Sequence, residues 1–294
     1  MSARRDPDGD APLWRFAAYQ TKQALKRRLV RRGISVDPPE FPYLVVPILG
    51  QSNAFGMGIG LDLEGLDRPH PLVHQWPMSG PDRGTAILAV EPLLHEIPGH
   101  GVGFGVTFGK ALAEATGRAV LLVPGARGDT CFAPKNGYTW DPADSVTRVN
   151  LYRNGIAAVD ATLERYPGSV VAAVLWHQGE SDVTLTAGAV YQAKLDSVIE
   201  DLRSRYGAEL PFLLGQMVPE EMELSRKDYS VIDAIHADTP NRWPRAAFIP
   251  GERGCINGGN DRHYNAAGVR AMGGAMWAKF HDMCRDELAE YATG

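Results

Sequence analysis

The stretch Leu44-Val-Val-Pro-Ile-Leu-Gly-Gln-Ser-Asn-Ala-Phe-Gly56 decides how this chain is read. From Leu44 to Leu49 every residue is apolar, with Val and Ile among them, as expected of a parallel strand buried on both faces. The run breaks at Gly50-Gln-Ser-Asn53, where small and amide side chains take over. Open α/β sheets place their ligands at the carboxyl ends of the strands, so Ser52 sits where a reactive hydroxyl is useful. The same residues also suit an ordinary polar turn. Later stretches decide between the two.

Downstream, residues 119–123, 169–176, 211–215 and 246–249 read as further strands, with a short one at 72–76. Between and after them, residues 106–115, 145–166, 186–206, 229–237 and 265–291 carry apolar side chains at helical spacing. Ser145 is the expected cap of the second of these. Alternation without an internal repeat predicts an α/β domain, one mostly parallel sheet with helices on both faces. No strand precedes Gly101-Val-Gly-Phe-Gly105, so its glycines are expected to serve close packing rather than phosphate binding. The Gly-, Pro- and Asp-rich passage up to about residue 98 predicts loops that decorate a site.

The bulk numbers narrow the classes. With 294 residues the chain can bury a large core, and 44% hydrophobic and 22% charged residues are those of a globular protein. A net charge of −5 gives no reason to expect nucleic acid as a partner. Cys131, Cys255 and Cys284 are too scattered for a zinc site or a disulfide framework, and spacing leaves open whether Cys131 and Cys255 meet. No apolar run is long enough to span a bilayer, and residues 1–11 have no apolar core of a secretory signal, so a cytoplasmic location is expected.

Residues 12–32 interleave Leu13, Trp14, Phe16, Leu25 and Leu29 with Lys22, Lys26, Arg27, Arg28, Arg31 and Arg32, the pattern of a basic amphipathic helix. It either makes a weak contact with a membrane surface or polyanion, or docks its apolar face on the main domain. The second fits better with so few apolar residues. The expected division is an N-terminal extension, residues 1–40, and an α/β domain, residues 41–294.

Unusual polar residues gather at strand ends and late loops: Gln51-Ser-Asn53, Arg127-Gly-Asp129, His177-Gln-Gly-Glu180 and Asp261-Arg-His263. In a parallel sheet these converge on one crevice. A serine hydroxyl is a weak nucleophile until a base takes its proton, and His263 can do so. A carboxylate beside the base fixes its tautomer. The oxyanion of acyl transfer needs donors aimed at it, for which the backbone amides of Ser52 and Gly128 and the side-chain amide of Gln178 are candidates.

The blocks Gly50-Gln-Ser-Asn53, Ala126-Arg-Gly-Asp-Thr130, Trp176-His-Gln-Gly-Glu-Ser-Asp182 and His263-Tyr-Asn-Ala-Ala-Gly268 resemble the SGNH hydrolase superfamily, and within it the sialate O-acetylesterase and carbohydrate esterase family 6 branch. The resemblance covers about residues 43–285. It implies a three-layer α/β/α fold with a flavodoxin-like parallel sheet, no metal and no cofactor. It also implies hydrolysis of acetyl esters on a small molecule or glycan through an acyl-enzyme. Carried over, Ser52 is the nucleophile, His263 the base, and Ser52, Gly128 and Gln178 form the oxyanion hole. Gln51, Asn53, Arg127 and Arg253 are candidate substrate contacts; Arg127, Arg253 and the neighbouring Arg262 suit an anionic sugar or, equally, ion pairs with Asp129, Asp261 and Glu252.

Two departures stand out. The family's Asp three residues before the histidine is Asn260 here, and Asp261 lies two before. Asp261 is therefore the expected orienting acid, with Glu180 the alternative that some members of the branch use. Asp129 replaces a usual second glycine. Rival readings are an acyltransferase or lipase-like esterase on the same machinery, or a carbohydrate-binding or assembly module with a degenerate site. Intact Ser52, Gln178 and His263 argue against the last.

Overall fold

The computed structural model describes Thr21, residues 30–258 and residues 260–293, with only the backbone at 260 and 261. The predicted basic helix therefore lies, for the most part, outside the described residues. The organising strand is β1 (Leu44–Gly50), buried along its whole length. Its side chains alternate between two cores: Leu44, Val46 and Ile48 face one, Val45 and Leu49 the other. A pleated strand with both faces apolar can be satisfied only by cover on both sides.

The remaining strands follow from β1. They are β2 (Val73–Gln75), β3 (Ile87–Leu88), β4 (Val120–Pro124), β5 (Tyr138–Thr139), β6 (Val149–Asn150), β7 (Val170–Val171), β8 (Val174–His177), β9 (Phe212–Gly215), β10 (Ala246–Ile249), β11 (Ile256–Asn257) and β12 (Asn260–Tyr264). The main sheet has the order β10-β9-β8-β1-β4-β2-β3, with β7 also beside β1, and every pair is parallel except β2–β3. After β4, on one side of β1, the chain crosses to β8 on the other. That reversal opens a crevice at the carboxyl end of β1.

Helices α1 (Ser52–Phe55), α2 (Gly105–Thr116), α3 (Leu151–Arg165), α4 (Gly188–Tyr206), α5 (Pro219–Leu224), α6 (Ser230–Arg242), α7 (Ala266–Met283) and α8 (Arg285–Thr293) complete the layers. On one face Phe108 and Leu112 of α2 pack with Val269, Met272 and Met276 of α7. On the other, Ile156 and Val159 of α3 share a core with Leu195 and Ile199 of α4. This is the α/β/α arrangement expected from the sequence. Among the described residues no helix is long and apolar enough to cross a membrane, and all three cysteines are free.

Some boundaries differ from expectation. Helix α3 starts at Leu151, not Ser145, because Asp144 accepts hydrogen bonds from the amides of Val146 and Thr147 and holds a turn there. The cap is instead Asn150, whose side chain accepts from Arg153 N. The C-terminal helix is broken at Cys284 into α7 and α8. The glycines near residue 101 do serve packing: a Cβ on Gly101 would lie 2.3 Å from the carbonyl oxygen of Gly58.

The loop from β3 to α2 is held by a buried acid. Glu91 accepts from Leu93 N at 3.1 Å and from Gly103 N at 3.0 Å. Burial outweighs these two donors and pushes its carboxyl up to about 8. The folded state then keeps a proton that the unfolded chain has lost, so this group makes stability fall as pH rises between about 4.5 and 8. Urea unfolding is expected to show that loss, approaching about 1.4 kcal/mol per pH unit, in wild type. Glu91→Gln should flatten it; an unchanged slope would mean that the loss arises elsewhere.

Candidate active site

Gly50 sets the geometry. Its φ is +124°, and a Cβ there would lie 2.0 Å from the carbonyl oxygen of His177, so only glycine fits. The same carbonyl accepts the amide of Gln51 at 2.8 Å, which locks the exit of β1 against the exit of β8. The chain then turns into α1, and Ser52 occupies its first position, half-buried at the cleft. The amide of a first helical residue has no partner inside the helix.

The turn after β4 comes to meet it. Arg127 N donates to the Gly50 carbonyl at 2.9 Å, and His95 Nδ1 accepts from Ala126 N at 3.1 Å. Burial pushes His95 down to about 3, so the ring is neutral and can accept. Gly128 follows, close enough that a Cβ on it would lie 3.8 Å from Ser52 Cβ. Among the described residues the amides of Ser52 and Gly128 make no hydrogen bond, and neither does Ser52 Oγ. Asp129, at the family's usual glycine, adopts φ +59°, a left-handed conformation that Asp tolerates. The departure therefore keeps the turn, and the Asp129 side chain pairs with Lys135.

Ser52, Gly128, Glu180 and His263 line one cleft of about 650 Å³. His263, on β12, is held below the ordinary imidazole value chiefly by burial, while the Glu180 carboxylate opposes that shift. Arg262 and His177 push in the same direction as burial. Glu180 comes from the loop after β8 and accepts from Asn53 Nδ2 at 3.1 Å. Asn53 is itself buried; its Oδ1 accepts from Tyr264 N at 3.2 Å. One amide thus ties α1, the Glu180 loop and β12 together.

Several expected site residues lie elsewhere. Gln178 is fully buried, donates from Nε2 to Asp182 Oδ2 at 2.6 Å and accepts from Tyr191 at Oε1, so at least one of its two amide donors serves the scaffold behind the cleft. Arg127 is 1% exposed, ion-paired to Glu96 at 2.6 Å and stacked over Tyr138, which removes it as a substrate contact. Arg253 makes a surface fork with Glu223 and does not reach the cleft. Asn53 is the clamp just described, while Gln51 does border the cleft and accepts from Ser181 N. The Asp261 side chain lies outside the described residues.

Other residues of the cleft were not anticipated. Glu221 and Lys227, from α5 and the segment behind it, line the same cleft as Ser52 together with Tyr229, whose hydroxyl donates to Glu221 at 2.8 Å. They follow β9, so the rule that sites form at carboxyl strand ends was the signal available. A larger hollow of about 900 Å³, walled by Trp76, Met78 and Ala158, carries none of the expected catalytic residues.

Comparison with known proteins agrees with this fold. A family model described as carbohydrate esterase, sialic acid-specific acetylesterase, matches residues 43–282. A probable 9-O-acetyl-N-acetylneuraminic acid deacetylase of Escherichia coli (strain K12) is 25% identical over 204 residues, 58% of this chain and 62% of that protein. The match thus spans less than two thirds of that relative's length. Among solved structures, NanS superposes with a TM-score of 0.70 at 18% identity, over 85% of this chain and 100% of its own. A protein from Arabidopsis thaliana gives 0.67 at 20% identity, over 83% and 100%. A carbohydrate acetylesterase from Xanthomonas citri gives 0.57 at 18%, over 82% and 56%. The solved structures share the fold, and the family match covers the sheet and every strand end that builds the cleft: the chain belongs to the carbohydrate esterase family of sialic acid-specific acetylesterases.

Proposed function

We propose that this chain is a serine esterase that removes acetyl groups from a carbohydrate, with an O-acetylated sialic acid as the first candidate substrate. The observation that carries the reading is the convergence of Ser52, Gly128 and His263 on one cleft, with the amides of Ser52 and Gly128 uncommitted. Ser52 Oγ attacks the acetyl carbonyl carbon while His263 takes its proton. The oxyanion is held by the two amides. The carbon–oxygen bond to the sugar breaks, and His263 returns the proton to the leaving hydroxyl. Water then attacks acyl-Ser52 by the same route, releasing acetate.

Glu180 takes the orienting role in this proposal. Among the described residues it is the foremost charge acting on His263, and Asn53 holds it in place. Asp261, favoured on spacing, is the alternative. For a sugar acid the cations bordering the cleft are Lys227 and Arg262, since Lys135 is already paired with Asp129. The basic segment 12–32 is read as an accessory, with at most a weak contact to an anionic surface, since the family match begins beyond it.

Ser52→Ala should lower kcat for p-nitrophenyl acetate by at least about 10³-fold; a variant retaining more than a tenth of the rate overturns the nucleophile assignment. In wild type the acid limb of kcat/KM should have its midpoint below the ordinary imidazole value, because burial depresses His263 and the neutral ring is the base. A midpoint above that value would show that His263 is not the titrating base. Glu180→Gln should cost about 100-fold or more in kcat, and Asp261→Asn much less. The reverse order transfers the orienting role to Asp261.

A further inference from the structure

Behind the cleft a second imidazole stands against Glu180. His177 ends β8 and is fully buried, with Tyr264 edge-on to it and Phe104 tilted beside it. Its Nε2 lies 2.8 Å from the carbonyl oxygen of Gln216. A carbonyl can only accept, so Nε2 carries a hydrogen and donates it there. In a neutral ring Nδ1 then holds a bare lone pair. Among the described residues that Nδ1 has no hydrogen-bond partner, and it lies 3.6 Å from Glu180 Oε1. Glu180 Oε2 is likewise buried without a partner. With the ring neutral, Nδ1 and Glu180 Oε1 would be two acceptors facing each other, and one proton between them relieves that contact.

We propose that His177 carries that proton on Nδ1 and acts as a buried cationic positioning residue for Glu180. The inference rests on the esterase reading and on Glu180 as the acid that orients His263. The proton belongs to the ring rather than the carboxyl because Asn53 Nδ2 already donates to Oε1, which favours the ionised carboxylate. Glu180 is then gripped from two sides, by an amide and by an imidazolium. The benefit falls on acylation, when the Ser52 proton arrives on His263: only an ionised Glu180 stabilises the new imidazolium, and a cation beside the carboxyl favours that form. At rest the same cation acts on His263 in the opposite sense to Glu180 and helps keep it neutral.

Around the pair β9 and α7 bring only apolar residues, while Asp233 of α6 lies one hydrogen bond away through Gln216. His263, Arg262 and Tyr264 lie on β12, Glu221 on α5, Tyr229 and His236 at and within α6, and Tyr191 on α4. Among the described residues Glu180 is the carboxylate within ion-pair distance of His177. His236 is neutral, because burial pushes it down to about 3, so it offers no competing charge.

The test is His177→Gln, whose side-chain amide keeps a donor for the Gln216 carbonyl and removes the ring nitrogen that faces Glu180. With p-nitrophenyl acetate, kcat should fall about tenfold or more with KM little changed. The acid limb of kcat/KM should move to higher pH, because a cation that depressed His263 and kept Glu180 ionised is gone. A folded variant with wild-type kcat and an unmoved limb overturns the proposal. Glu180→Gln measured beside it separates the two readings: if that variant stays active, the role of Glu180 falls. If it is crippled while His177→Gln is normal, only the inner proton is wrong. Should His177→Gln not fold, ¹⁵N chemical shifts of the histidine rings in the full wild-type chain decide. Both His177 nitrogens protonated at pH 7 support the proposal, and a neutral Nε2–H tautomer overturns it.

Discussion

The whole carboxyl edge of the sheet depends on how closely Gly50 approaches the carbonyl of His177. That contact has no room for a Cβ and is sealed by the Gln51 amide on the same oxygen. It fixes the exits of β1 and β8 side by side, so the residues that follow each strand emerge together. Ser52 follows one exit and Glu180 the other. A wider spacing at this point would separate Ser52 from Glu180, the proposed nucleophile and orienting acid, even with every side chain intact. The constraint is made of backbone, and for that reason a positive φ and a missing side chain at residue 50 matter as much as the hydroxyl two residues later.

Around that contact the polar groups divide into those that react and those that hold. The block from Gln178 to Asp182 is mostly of the second kind. Asp182 accepts from Gln178, from the amide of Phe132 and from Thr186, and so fastens the 131–133 loop to the end of β8. Burial raises its carboxyl, opposed by those donors, which is the usual balance of a structural acid. Only Glu180 and Ser181 of the block reach the cleft. A motif can thus be diagnostic for a family while most of its side chains never meet substrate.

This division explains what was legible in the sequence. The parallel sheet, its central strand and the helix layers were readable because apolar runs and helical spacing report burial directly. The convergence of Ser52, Gly128 and His263 was readable because strand direction puts carboxyl ends on one edge. The roles of Gln178, Arg127 and Arg253 were not. A polar residue beside a strand end looks alike on paper whether it faces a cleft, a buried aspartate or a surface glutamate. The start of α3 was missed for a related reason, since Asp144 and Ser145 both form turns and caps and only their contacts distinguish them. Glu221 and Lys227 escaped because they follow β9 at a distance and lie in no compact motif.

The departures from the family pattern are instructive because they cost little where the backbone can absorb them. Asp129 takes the left-handed conformation that a glycine would supply, at a position whose side chain points to a lysine on the surface. The shift of the family's aspartate is more consequential, since it bears on what faces His263. In this fold the deficit can be met from the other side of the crevice: Glu180 lies on a different strand end, held by Asn53 of α1, and acts on His263 across the space between two loops. An acid supplied from a rigid strand exit depends less on the conformation of the loop that carries the base than one two residues away within it. On the proposed mechanism, the charge that stabilises protonated His263 then stays fixed to the sheet.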